Sequence, residues 1–168
     1  MLLIDKKTKQ IEHCSAENIT SDVLTSTEPL ILKGLVADWP LTKLGRESAH
    51  KASEYLLQFY NNKPVNVALG EPSTKGRIFY SSDFTGFNYQ SLRVSMKILL
   101  DKLEQHSSDS SPPTIYMAST MVDRWLPEFR NENDLLLAPI NPLASIWIGN
   151  KTRIAAHYDL PDNIACSA

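Results

Sequence analysis

Two stretches of the chain carry the spacing of an amphipathic helix. Ala52, Tyr55, Leu56 and Phe59 fall at i, i+3, i+4 and i+7, and Met96, Leu99, Leu100 and Leu103 repeat the pattern. At 3.6 residues per turn each set lies on one face. Ser95 stands where an N-cap is needed, because its hydroxyl can accept from the open N–H groups of the first turn. A weaker helical pattern runs over residues 121–129, with Pro127 expected to disturb it. Short apolar or alternating runs between turn-forming residues predict strands at 29–33, 64–68, 77–80, 114–118, 145–148, 153–159 and 163–166. Residues 107–113, Ser-Ser-Asp-Ser-Ser-Pro-Pro, read as a flexible loop. Residues 70–76 contain two glycines and a lysine but lack the order of a phosphate-binding P-loop, and read as a hairpin loop. Helices and strands mix in the N-terminal half, and the last quarter reads as β. The expected class is α+β or mainly β, with helices decorating a sheet.

Composition narrows the function. The 168 residues fit one domain, which at this size buries roughly two-thirds of its unfolded surface. Seventeen basic against nineteen acidic residues, evenly spread, leave no stripe to neutralise a phosphate backbone, so nucleic acid is a disfavoured partner. No run approaches the ~18 apolar residues of a membrane span, and the N-terminus turns charged at Asp5-Lys6-Lys7, too soon for a signal peptide. Cys14 and Cys166 cannot build a disulfide framework and suit a reducing compartment, so a cytoplasmic location is expected.

The sharpest chemical feature is Arg153-Ile-Ala-Ala-His157-Tyr158-Asp159. On a strand, His157 and Asp159 share one face while Tyr158 points the other way, so an imidazole and a carboxylate can converge on one ion. With a second, distant histidine they would form the two-histidine, one-carboxylate triad of non-haem Fe(II) oxygenases, which leaves three coordination positions open. The spacing alone is weak. Four histidines and ten aspartates in this length give roughly a quarter of a His-x-Asp by chance. A surface histidine beside a turn-forming aspartate ahead of Leu160-Pro161 has the same pattern. Trp39, Trp125 and Trp147 read as buried core or staple residues before groove-lining ones, and Cys166 as a small core residue.

Context adds weight. Ser145-Ile-Trp-Ile-Gly-Asn150, a short turn, the His-x-Asp segment and Asn163 four residues later resemble the metal-binding strands of JmjC-type, cupin-like hydroxylases. Glu28-Pro-Leu-Ile-Leu-Lys-Gly-Leu-Val-Ala-Asp-Trp39-Pro40 resembles that family's opening, and Ile115-Tyr116-Met117 its co-substrate strand. The resemblance implies a helix-decorated double-stranded β-helix, or jelly roll, over a single domain 1–168. Residues 1–113 would form a helix-and-strand portion, and 114–168 the start of the jelly-roll core, incomplete at the C-terminus. It further implies His157 and Asp159 as ligands of Fe(II), and Tyr116 and Asn163 as contacts of 2-oxoglutarate. The reaction implied is hydroxylation, with a protein side chain as substrate. Ile154 departs from the pattern: some members carry a threonine there, and an apolar side chain cannot donate its hydrogen bond.

The family's distal histidine and the Lys or Arg for the co-substrate's far carboxylate have no counterpart after Asn163. His13, His50 and His106 precede the motif and read as surface histidines. The chain by itself is therefore expected to be inactive, and its exposed strands to pair with another copy or a partner. Two other readings stand beside the oxygenase: a non-catalytic jelly-roll interaction protein, and a cupin-like small-molecule binder without redox chemistry.

Overall fold

The computed structural model describes residues 6–17, 19–157, 159–160 and 162–168. Eleven elements follow in the order β1 (Lys9–Ile11), α1 (Ser21–Leu24), β2 (Leu30–Leu32), α2 (Pro40–Glu47), α3 (Ala49–Phe59), β3 (Val65–Gly70), β4 (Tyr89–Val94), α4 (Met96–Gln105), β5 (Thr114–Met121), α5 (Val122–Trp125) and β6 (Ser145–Gly149). Local chemistry sets their starts. Pro40 opens α2 at a position that needs no N–H donor. Ser48 caps α3 by accepting from the Lys51 N–H, and Ser95 caps α4 by accepting from the Ile98 N–H at 3.2 Å, as its sequence position predicts. The pattern over 121–129 is cut as Pro127 requires: α5 stops at Trp125, and a short 3-10 turn follows at Phe129–Asn131.

A four-stranded sheet ordered β4-β3-β5-β6 carries the architecture, every neighbouring pair antiparallel. Alternation divides its faces. Val65 and Val67 of β3 and Ile115 and Met117 of β5 point one way, into a core shared with Tyr55 and Leu56 of α3 and Met96, Leu99 and Leu100 of α4. Met96, Leu99, Met117 and Leu126 are fully buried, each contributing about 1.5–3 kcal/mol by leaving water. The register Ala68↔Tyr116↔Gly149 places the intervening residues on the opposite, helix-free face. Gly149 is needed there, since a Cβ would lie 2.7 Å from Thr152 Oγ1 and 3.0 Å from the Ile115 carbonyl oxygen. A separate parallel pair, β1 with β2, anchors the N-terminal segment. Trp39 ties that segment to the rest by donating from Nε1 to the Asp134 carbonyl at 3.1 Å.

Several sequence expectations are corrected. Residues 77–80 form only isolated bridges, Arg77 with Arg153 and Tyr80 with Phe87, within the long connection between β3 and β4. Beyond Arg153, residues 154–157, 159–160 and 162–168 carry no strand pairing, so the described residues of 154–159 and of 163–166 are not strand; the expected outward turn of Tyr158 lies outside the described residues. The chain turns at Lys151, which has a left-handed φ of 36°, and leaves the edge of β6 to run beside residues 76–77. Without a continuous row of N–H and C=O partners, an apolar run stays irregular. Cys166 and Trp147 are exposed instead of forming core; Trp147 alternates with Ile146 and Ile148, which pack against the core, and so faces the other side of the sheet. A second sheet facing the first, as a jelly roll requires, is not present among the described residues. The fold shown is therefore a helix-covered antiparallel sheet.

Candidate functional site

The helix-free face of the sheet forms a trough of about 350 Å3, lined by Asn66 and Ala68 of β3, Tyr89 and Ser91 of β4 and Tyr116 and Ala118 of β5. Ile78 closes it from the β3–β4 connection, and Ile154 and Ala155 from the segment after β6. Partial burial pushes the Tyr116 phenol above its ordinary value, so near neutral pH it keeps its proton and acts as a hydrogen-bond donor. Tyr89 also ends a row of rings, stacked on Phe87 at 5.1 Å, which in turn stacks on Tyr80 at 5.4 Å.

His157 and Asp159 lie just past the rim that Ala155 helps to form. His157 Nδ1 is 2.9 Å from the Ala155 carbonyl oxygen, an acceptor only, so this nitrogen carries the proton. In the neutral ring Nε2 then presents its lone pair, the arrangement that metal-bound histidines adopt. That Nε2 faces Asp159 Oδ1 at 3.8 Å. The other carboxylate oxygen, Oδ2, accepts from Asn163 Nδ2 at 3.2 Å. Both side chains thus have their outer atoms tethered and their inner atoms turned toward each other. They are more than half exposed, at 61% and 56%.

The pair suits a divalent ion in kind, and its spacing is close to the one a shared ion needs. Bonds of about 2.0–2.2 Å to an imidazole nitrogen and a carboxylate oxygen put donors in neighbouring positions of an octahedral shell about 3 Å apart, so these two exposed side chains would close by a little under 1 Å to share one ion. In number the set stops at two. No group of three or more His, Cys, Asp or Glu side chains able to hold a metal ion occurs among the described residues. The other histidines stand elsewhere: His13 is exposed, His50 meets Glu54 and Glu104, and His106 meets Asp109.

Of the four residues singled out by sequence, the structure brings His157 within 3.8 Å of Asp159, hydrogen-bonds Asp159 to Asn163, and puts Tyr116 in the trough. Asn163 serves the Asp159 carboxylate and does not line the trough. Ile154 does line it, with an apolar side chain that cannot bind a carboxylate. Tyr89, Ser91 and Asn66 were not legible as site residues. Their shared face follows from the pairings Gly70↔Tyr89, Ala68↔Ser91 and Asn66↔Arg93, which no local pattern predicts. Comparison with known proteins adds one match and one absence. No curated protein sequence matches this chain. The family model of the cupin-like domain matches residues 16–168, nearly the whole chain, and the chain belongs to the cupin-like domain family.

Proposed function

We propose that His157 and Asp159 are two of the protein ligands of an Fe(II) centre in a 2-oxoglutarate-dependent oxygenase, a superfamily with which a cupin-like domain is consistent. The observation that carries this reading is the tethered pair: Nε2 and Oδ1 face each other at 3.8 Å while Nδ1 and Oδ2 are held by Ala155 and Asn163. Outer partners of this kind fix ligand orientation and tautomer before an ion arrives. When bound, Fe(II) supplies oxygen activation coupled to decarboxylation of 2-oxoglutarate and hydroxylation of a substrate C–H bond, here assigned to a protein side chain. Tyr116 donates its phenol proton to a co-substrate carboxylate in the trough. Asn163 acts one step out, by holding Asp159. Ile78, Ile154 and Ala118 give the trough apolar walls beside the Tyr116 donor. In this reading the jelly roll of the family is built on the sheet described above.

Two protein donors hold a divalent ion weakly, and a third ligand has to come from outside the described residues. The chain alone is therefore expected to bind metal without turnover. Cobalt(II) titrated into the chain, followed by its visible absorption, should show weak saturable binding. His157→Ala and Asp159→Ala should each weaken it by at least about tenfold, the low end of what second-shell changes alone cost. Binding that is indifferent to both substitutions would overturn the assignment. Succinate formed from 2-oxoglutarate with Fe(II), above a His157→Ala control, would overturn the prediction of inactivity.

A second reading, a non-catalytic interaction module, is favoured by one observation. β6 lies at the sheet edge, with Trp147 56% exposed on it.

A further inference from the structure

We propose that a second cavity, walled in part by residues 72–76 of the connection between β3 and β4, binds a phosphoryl-type oxyanion. It arises from one close passage of backbone. Gly76 has φ +83°, and a Cβ there would fall 2.2 Å from the Lys151 carbonyl oxygen. Only glycine lets the 151–153 segment pass so near, and the passage is locked by the Arg153 N–H, which donates to the Gly76 carbonyl at 2.7 Å. The residues just before the two contact points, Lys75 and Asn150 with Lys151, are thereby brought onto the wall of a single cavity of about 160 Å3. Ser110 and Ser111 complete that wall from the loop before β5.

Its chemistry is one-sided. No aspartate or glutamate is among the described residues that line it. Arg77 and Arg153 are bridge partners beside it, so four basic residues gather on two adjacent segments. Among the described residues none of the four has a carboxylate within ion-pair distance, although the chain as a whole has net charge −2. Lys151 Nζ donates to the Asp109 carbonyl at 3.0 Å, which ties its ammonium to the loop that carries the serines. Arg77 is partly engaged, its guanidinium 4.7 Å from the Phe79 ring centroid. The Asn150 side chain is spent on the Ile115 N–H and the Pro113 carbonyl, so it frames the cavity without binding in it.

Clustered like charges repel, and a fixed anion relieves that repulsion. Two ammonium groups with three donors each, beside two hydroxyls, offer donors in several directions. A tetrahedral phosphoryl group with three acceptor oxygens and a charge of −1.5 to −2 uses such a set more fully than a planar carboxylate does. The small volume suits the phosphoryl head, with its carrier left outside.

The full chain, isotopically labelled, can be titrated with inorganic phosphate, phosphoserine and glycerol 3-phosphate in separate arms, at fixed ionic strength, with amide shifts as the readout. Saturable shifts at residues 75–77, 110–111 and 150–153 are expected. Lys75→Gln/Lys151→Gln should lower the affinity at least about tenfold, since two charge-assisted donors are lost together. Lys75→Gln alone removes no hydrogen bond or ion pair found among the described residues, so its loss of affinity reads the site even if the double variant folds poorly. Equal affinity in all arms means the phosphoryl group alone is recognised. A preference for phosphoserine points to a phosphopeptide, and for glycerol 3-phosphate to a lipid-type headgroup. Shifts that do not saturate, or an affinity unchanged by Lys75→Gln, overturn the proposal.

Discussion

Asn133 holds together three parts of the chain that are far apart in sequence. Its side chain donates from Nδ2 to the Tyr55 hydroxyl at 2.7 Å and to the Phe129 carbonyl at 3.2 Å, and its Oδ1 accepts from the Leu41 N–H at 3.1 Å. The residue is 3% exposed, so these groups have no water to turn to. Tyr55 passes the chain on by donating to Glu132 at 2.8 Å, and burial pushes its phenol above the ordinary value. Asn133→Ala would leave the Leu41 N–H without its partner, at about 1–3 kcal/mol for a group so stranded, while the Phe129 carbonyl keeps the backbone N–H groups of Glu132 and Asn133. Urea unfolding should show a loss of roughly 1–3 kcal/mol with an unchanged dependence on denaturant. A loss under 0.5 kcal/mol would mean that the network is not holding α2, α3 and the 129–131 turn together.

Between elements, α3 and α4 are joined across their exposed side by His50. Its Nδ1 lies 3.2 Å from Glu104 on α4, and its Nε2 lies 3.5 Å from Glu54 one turn on. The hydrogen bond to Glu104, then the charges of Glu104 and Glu54, raise its pKa above the ordinary value near 6.5. A raised value means that the folded chain holds this proton more tightly than the unfolded one. The resulting stability is fully present below pH 6.5 and fades as pH rises through the folded-state value. His50→Gln should therefore lose stability relative to the parent at pH 6 and differ little from it at pH 8. Denaturant midpoints of the two proteins at both values check this. A gap that widens toward pH 8 would reverse the sign and exclude the His50–Glu104 pair as its source.

For the whole molecule, the balance of covered and uncovered sheet matters most. Helices cover one face, and the other keeps the trough, the exposed Trp147 and two outer strands, β4 and β6. An uncovered strand edge offers a row of backbone donors and acceptors to another chain. We expect self-association through β6. Light scattering after size exclusion should give more than the 18.9 kDa of one chain, and Trp147→Lys should return it toward that mass. A parent chain that is monomeric at high concentration would remove the support for the interaction reading. Among the described residues no helix is long and apolar enough to cross a membrane.

By itself the sequence determined the pieces whose signals are local. The faces of α3 and α4, the Ser95 cap, the break near Pro127 and the strands within β2, β3, β5 and β6 follow from spacing and capping chemistry over a few residues. β4 was hidden, since Tyr-Gln-Ser-Leu-Arg-Val has no clean alternation and becomes a strand by pairing with β3. The His-x-Asp pair was legible as chemistry but not as geometry. Its expected strand face requires a ladder, whereas the chain turns away at Lys151, and two tethers now orient the two donors: a backbone carbonyl and an amide. Only the tertiary structure decided which face of the sheet stays open, and that Lys75 and Lys151 line one cavity beside Gly76. Both depend on register and on the approach of segments some seventy residues apart, and local periodicity carries no record of either.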